Sequence, residues 1–191
     1  MSTLQVLQNL PQLFRYADVQ KFTVHANVFL TRALQRGLIE RLTRGIYINS
    51  GIKGVPRVEE AACFIRTTCY ISCEWAINHH GITIQVPAIC TVLTTSTAVG
   101  EARRLHYRGV GIEFSRIADR LFTGFSMEDG FAIATAEKAL LDTLYFRKSL
   151  PVQDELELDM VNRELLRDLA ELYPVRVKAE IRRVFDSIGM G

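Results

Sequence analysis

The sequence predicts an α+β protein, with an N-terminal winged helix-turn-helix followed by a mixed α/β C-terminal domain that ends in helices. Three observations carry this. Apolar residues recur at helical spacing in three segments before residue 37. A short apolar hairpin, interrupted by Thr43-Arg44-Gly45, follows at once. Beyond residue 55, strand-like and helical runs mix in irregular order, which favours an α+β body over a doubly wound sheet.

Leu4, Val6, Leu7 and Leu10 predict a first helix over about 3–10, interrupted by Pro11. Leu13, Phe14, Ala17 and Val19 predict a second, short helix ending near Lys21. Thr23 is suited to cap a third helix over 24–36. Its inner face would hold Leu30, Ala33 and Leu34, with Val24 or Asn27 one turn earlier, and Gly37 would end it. Residues 38–42 and 46–49 read as the two strands of a hairpin, with Gly45 able to take a left-handed turn conformation. Residues 49–55, Asn-Ser-Gly-Ile-Lys-Gly-Val, read as a linker, dividing the chain into a 1–50 winged-helix domain and a 56–191 α+β domain.

In the second domain Pro56 opens a helix. Residues 69–72 are a strand, and Ser72 is placed to cap a helix closed by Gly81. Residues 88–94 form a strand, 103–108 and 111–116 a hairpin through Gly109, and 131–134 a further strand. Thr135 caps a helix with Ala139, Leu140, Thr143 and Leu144 inward. Two terminal helices follow, separated by Pro174. One carries Leu165, Leu166, Leu169 and Leu172. The other carries Val177, Ile181, Val184, Phe185 and Ile188.

The 191 residues are 48% hydrophobic and 23% charged, a globular composition that excludes disorder as the main state. No apolar run is long enough to span a bilayer. The start lacks a basic segment and cleavage site, so no export signal is visible. The four cysteines, Cys63, Cys69, Cys73 and Cys90, are expected to be reduced thiols of a cytoplasmic protein. Net charge is only +2, but residues 1–50 hold six Lys/Arg against two Asp/Glu, while 151–191 hold six against nine. A cationic N-terminal block points to a polyanion.

In a winged helix the third helix enters the major groove and the hairpin tip follows phosphates or the minor groove. His25, Asn27, Thr31 and Gln35 would then face base edges, and Arg32 and Arg36 bases or phosphates. Arg41, Thr43 and Arg44 would form the wing contact, and Lys21 completes the set. Glu40 is the one acid near the tip, and strand alternation can turn it away. A protein-binding winged-helix scaffold is the bland alternative.

Several motifs carry a resemblance. They are Tyr70-Ile71-Ser72, Gly81, Val86-Pro87, Phe114, Gly124-Phe125, and Ala134-Thr135 through Asp142. Together with "RALQRGLIERLTRGIYI", they resemble the AbiEi family of antitoxins, transcriptional regulators of bacterial type IV toxin–antitoxin operons. The resemblance spans roughly residues 13–173. Ala136 departs from it, since Pro is common there in the family. Cys73 and Trp75 are further variations. The resemblance implies a repressor that binds inverted repeats in its promoter. It also implies a second domain that counters a nucleotidyltransferase-like toxin without a stable complex. No cofactor, metal or membrane partner is implied.

Other residue clusters bear on catalysis or metal binding. Cys69, Cys73, His79 and His80 lack the usual spacing of a zinc site, and buried thiols are the simpler reading. Glu137, Lys138 and Asp142, with Glu113, suggest the rival function: a metal-dependent nuclease or nucleic-acid-modifying enzyme targeted by a winged helix. Against it, Glu137 suits a helix dipole, and Lys138 and Asp142 suit an i,i+4 pair. Arg103, Arg104 and Arg108 form a second basic cluster. It is either a second nucleic-acid surface or an edge strand guarded by charge. Alternation puts Arg104, His106 and Arg108 on one face.

Overall fold

Helix α1 (Thr3–Asn9) begins where Ser2 and Gln5 cap each other: Ser2 Oγ accepts from Gln5 N, and Gln5 Oε1 from Ser2 N. The computed structural model describes residues 2–97, 103–150 and 156–187. They divide into two compact units, Met1–Ile65 and Arg66–Gly191.

In the first unit, α1 is followed by strand β1 (Leu13–Arg15), α2 (Tyr16–Gln20), α3 (Ala26–Gln35), β2 (Glu40–Thr43) and β3 (Ile46–Ile48). The strands form one sheet in the order β1-β3-β2, so the hairpin is the wing. The expected helix over the second segment is therefore corrected at its start. Residues 13–15 pair antiparallel with β3, and Phe14 stacks on Tyr47 with ring centroids 5.6 Å apart. Asp18 fixes the helix start at Tyr16 by accepting the Arg15 N–H at 2.9 Å.

The expected start of α3 is also corrected. Thr23 Oγ1 accepts from His25 N, making a local turn rather than a cap, and His25 takes the cap position. The helix ends as expected at Gly37. Its φ of +65° lets Leu38 N reach Ala33 O and Gly37 N reach Leu34 O, the paired bonds of a Schellman motif. The buried face is Ala26, Phe29, Leu30 and Ala33, packed with Val6, Leu7, Phe14 and Val19. It is rotated from the expected face: Leu34 is half-buried, and Val24 and Asn27 are exposed.

The expected linker folds. Asn49 is buried and donates to Leu7 O at 2.7 Å and Leu10 O at 3.2 Å, satisfying the end of α1. A short helix α4 (Ser50–Lys53) follows. Gly51 lies so close to Leu38 that a Cβ would sit 3.0 Å from its carbonyl oxygen. Helix α5 (Val58–Ile65) also belongs to this unit, and Arg15 donates to Phe64 O at 2.7 Å.

The second unit contains β4 (Cys69–Ser72), α6 (Cys73–His79), β5 (Ile89–Thr94), β6 (Arg104–Tyr107), β7 (Val110–Arg116), β8 (Phe125–Glu128), β9 (Phe131–Ala134), α7 (Ala136–Arg147), α8 (Arg163–Ala170) and α9 (Val175–Ser187). Its mixed sheet runs β6-β7-β5-β4-β9-β8, with parallel pairing at β5–β7 and β4–β9. Strand β8, which pairs with β9, was not foreseen. Helix α7 touches β4, β9, α6, α8 and α9, so Glu137 through Leu144 are all buried, not only the inward four expected. On α8, Leu166 and Leu169 are buried while Leu165 is exposed, as is Leu172 just beyond the helix. On α9, Val177, Ile181, Val184 and Phe185 are buried, and Ile188 lies outside the described residues.

Candidate nucleic-acid interface

The outer surface of α3 holds the residues expected to read DNA. Asn27, Thr31, Arg32 and Gln35 are exposed on it, and His25 and Arg36 are exposed at its two ends. The face exists because Phe29 and Leu30 take the opposite side into the core. No Asp or Glu occurs from Val19 to Ile39, so nothing on this segment opposes its cations. Among the described residues, Arg32, Arg36 and Arg44 form no ion pair. Their hydrated charges act over roughly a Debye length, about 8 Å at physiological salt.

Lys21 differs. Its Nζ donates to Asp18 Oδ1 at 2.7 Å. That bond, the Arg15 N–H and the nearby charges hold the Asp18 carboxyl below its usual range against partial desolvation. A phosphate contact by Lys21 would have to compete with this partner.

At the wing, Arg44 and Gly45 form the turn, with Gly45 at φ +76°. Arg41 and Arg44 are exposed and Thr43 is half-buried, with Arg41 Nε directed to Thr43 O at 3.4 Å. Glu40 is exposed, and the register shifts between Arg41 and Thr43. It pairs with Ile48, three residues or about 10 Å along the strand from Thr43.

The second basic cluster is largely occupied. Arg103 and Arg104 each reach Glu113 Oε1 at 3.2 Å, and Arg147 lies 3.8 Å from the same buried carboxylate. Arg104 and His106 share an exposed face of the edge strand β6, as expected. Arg108 does not join that face, because it sits in the β6–β7 turn at φ +50°.

The residues considered for catalysis are dispersed among different partners. Glu113 holds the arginines. Glu137 accepts from the Asn162 N–H at 2.8 Å, at the start of α8. Asp142 is the hub of a buried network: it accepts from Lys138 Nζ at 2.7 Å, Tyr173 OH at 2.6 Å, Ser72 Oγ at 2.7 Å and Tyr70 OH at 3.1 Å. Lys138 also donates to Tyr173 OH. Both ends of the Lys138–Asp142 pair are 0% exposed. Ser72 thus stands at the cap position of α6 but spends its hydroxyl on Asp142, which corrects the expected cap. Burial pushes the Lys138 ammonium below its usual range while Asp142 opposes the shift, and burial pushes the Tyr70 and Tyr173 hydroxyls up. Gly124 leaves room for the lysine: a Cβ there would be 3.1 Å from Lys138 Cδ.

The cysteines and histidines likewise have separate partners. Cys69 Sγ donates to Arg66 O, Cys73 is fully buried with its thiol pushed up, His79 pairs with Glu128 at 2.9 Å, and His80 bonds Ala134 O at 2.7 Å. Among the described residues, no three metal-ligating side chains converge.

Two surface residues escaped the sequence reading: Val24 and Val28. Val24, offered with Asn27 as alternatives for the inner face, is 92% exposed, and Val28 is 47% exposed.

No curated protein matches the sequence. The fold is similar to that in the crystal structure of the RV2827C protein from Mycobacterium tuberculosis. The TM-score is 0.69 at 9% identity, covering 97% of this chain and 75% of that one. At that identity the likeness concerns fold alone. The sequence model of the family described as "Transcriptional regulator, AbiEi antitoxin" matches residues 2–50, from the α1 cap through α3 and the wing. Over that segment, about a quarter of the chain, the sequence is similar to the AbiEi antitoxin family of transcriptional regulators.

Proposed function

We infer that the protein is a sequence-specific DNA-binding repressor that acts as the antitoxin of a type IV toxin–antitoxin operon. The observation that carries the DNA reading is the acid-free outer face of α3, with Asn27, Thr31 and Gln35 beside Arg32 and Arg36, together with a wing carrying Arg41 and Arg44. Neutral amides among cations supply what base reading needs: donors and acceptors in the groove, and charge for the flanking phosphates. In this reading α3 enters the major groove at each arm of an inverted repeat in the promoter, and repression follows from occupying that site.

The second unit is assigned the antitoxin role, opposing a nucleotidyltransferase-like toxin without a stable complex. It is given no catalytic step. Glu113, Glu137 and Asp142 each have separate structural partners, and Lys138 is held by a carboxylate and a phenol. This argues against the nuclease alternative. The test has two arms. Anisotropy titrations on the protein's own promoter and on random duplex should differ in affinity and weaken with salt. Co-expression should restore growth to cells making the cognate toxin. Equal, salt-insensitive binding to both duplexes would remove the repressor reading, and absent rescue by a folded chain would remove the antitoxin reading.

A further inference from the structure

Along the outer surface of α3 and the turn before it, methyl-bearing side chains are exposed beside the polar residues. Val24 stands in the turn just before the helix, Val28 follows four positions later, and Thr31 three after that. Val24 is 92% exposed and Val28 47% exposed, and neither belongs to the cluster that holds the unit together. Leaving apolar surface in water contributes nothing to the fold. Its position matters because Asn27 and Gln35 lie along the same surface and cations bound it at Arg32 and Arg36. A polyanion is therefore the occupant that the charge favours.

Within the major groove of DNA, one base presents an apolar group: thymine, through its 5-methyl. The adenine paired with it offers N6 and N7, which a side-chain amide can bond as a pair. We propose that Val28, assisted by Val24, recognises thymine 5-methyl groups, and that A·T pairs are read jointly by these valines and the neighbouring amides of Asn27 and Gln35. The proposal rests on the DNA-binding reading and adds to it the base that the helix selects.

The test uses the full chain. Bound duplexes are selected from a random library, and each thymine of the selected site is then replaced singly by uracil, which removes only the methyl. Burying one methyl corresponds to about a four-fold change in affinity. At least one thymine is expected to show that loss. Val28→Ala should shrink the difference between thymine and uracil at that position, while Val28→Thr, which keeps a methyl and the shape, should retain most of it. Val24→Ala, at an exposed turn, should have the same kind of effect at a different position or a smaller one at the same position. Sequence-selective binding with equal affinity for thymine and uracil at every position overturns this proposal and leaves the repressor reading standing. Failure to select any sequence overturns both.

Discussion

In the N-terminal unit the cations stand outside a small apolar core. Arg32, Arg36, Arg41 and Arg44 are exposed, while Phe14, Phe29 and Leu30 fill the interior. In the C-terminal unit a cation sits at the centre. Lys138 is fully buried, bonded to Asp142 and Tyr173 and lying 5.4 Å from the centre of the Tyr70 ring. The difference teaches how to read charge in each half. A hydrated cation with no acidic neighbour keeps its field for a ligand. A buried cation whose partners saturate it has no field to offer, and it serves to join the elements that supply those partners. Here the joined elements are β4, α7 and the Tyr173 segment after α8.

The largest expected effect breaks the buried half of this comparison. Lys138→Met leaves Asp142 charged and unpaired, which should destabilise the protein by about 3–5 kcal/mol. Replacing both residues by apolar ones should be less harmful than the single change. Urea unfolding measures both, and an unchanged midpoint for Lys138→Met would show that the pair does not hold the unit together. A folded, stable Asp142→Asn variant that lost toxin neutralisation would instead revive a chemical role for that carboxylate.

The next effect belongs to the exposed half. Asn27→Ala or Gln35→Ala should weaken binding to the cognate site by about 1–3 kcal/mol and hardly change binding to random duplex. Equal losses on both would mean that α3 does not read bases in this register. Arg44→Ala should weaken binding to all sequences alike and flatten the salt dependence by about one unit of slope.

The smallest effect concerns pH. Asp18 has a lowered folded-state pKa, so its contribution is present above the ordinary carboxylate range and is lost as pH falls through that range to the lowered value. For an exposed i,i+3 pair this amounts to about 0.3–0.5 kcal/mol. The melting temperatures of wild type and Asp18→Asn should therefore differ slightly at neutral pH and converge in acid. A gap that widened in acid would contradict the sign.

What could be read in the sequence follows from how local each feature is. Gly37 at the end of α3, Thr135 at the start of α7 and the β6–β7 turn depend on neighbours within a few residues, and all three stand where they were expected. Strand β1 is three residues long and takes its identity from β3, more than thirty residues away, so its apolar spacing also fits a helix. The Lys138–Asp142 spacing was legible, but their burial was not. The other partners of Asp142 come from Tyr70, Ser72 and Tyr173, separated in sequence by 72, 70 and 31 residues. The exposed face of α3 was read nearly in full. Val24 was offered for the inner face on helical spacing, but it falls in the turn that Thr23 and His25 make before the helix starts, where that spacing no longer applies.

On the proposed function, the exposed cations of α3 and the wing, and not the cations tied up elsewhere, meet the nucleic acid. The slope of log Kd against log salt tests it most directly, measured on the promoter for the wild type, for Arg41→Ala/Arg44→Ala and for Arg103→Ala/Arg104→Ala. Each lost phosphate contact should reduce the slope by about 0.9. The account predicts a reduction of about 1.8 for the wing pair and little change for the pair held by Glu113. An unchanged slope for the wing pair, with a clear reduction for Arg103 and Arg104, would contradict it.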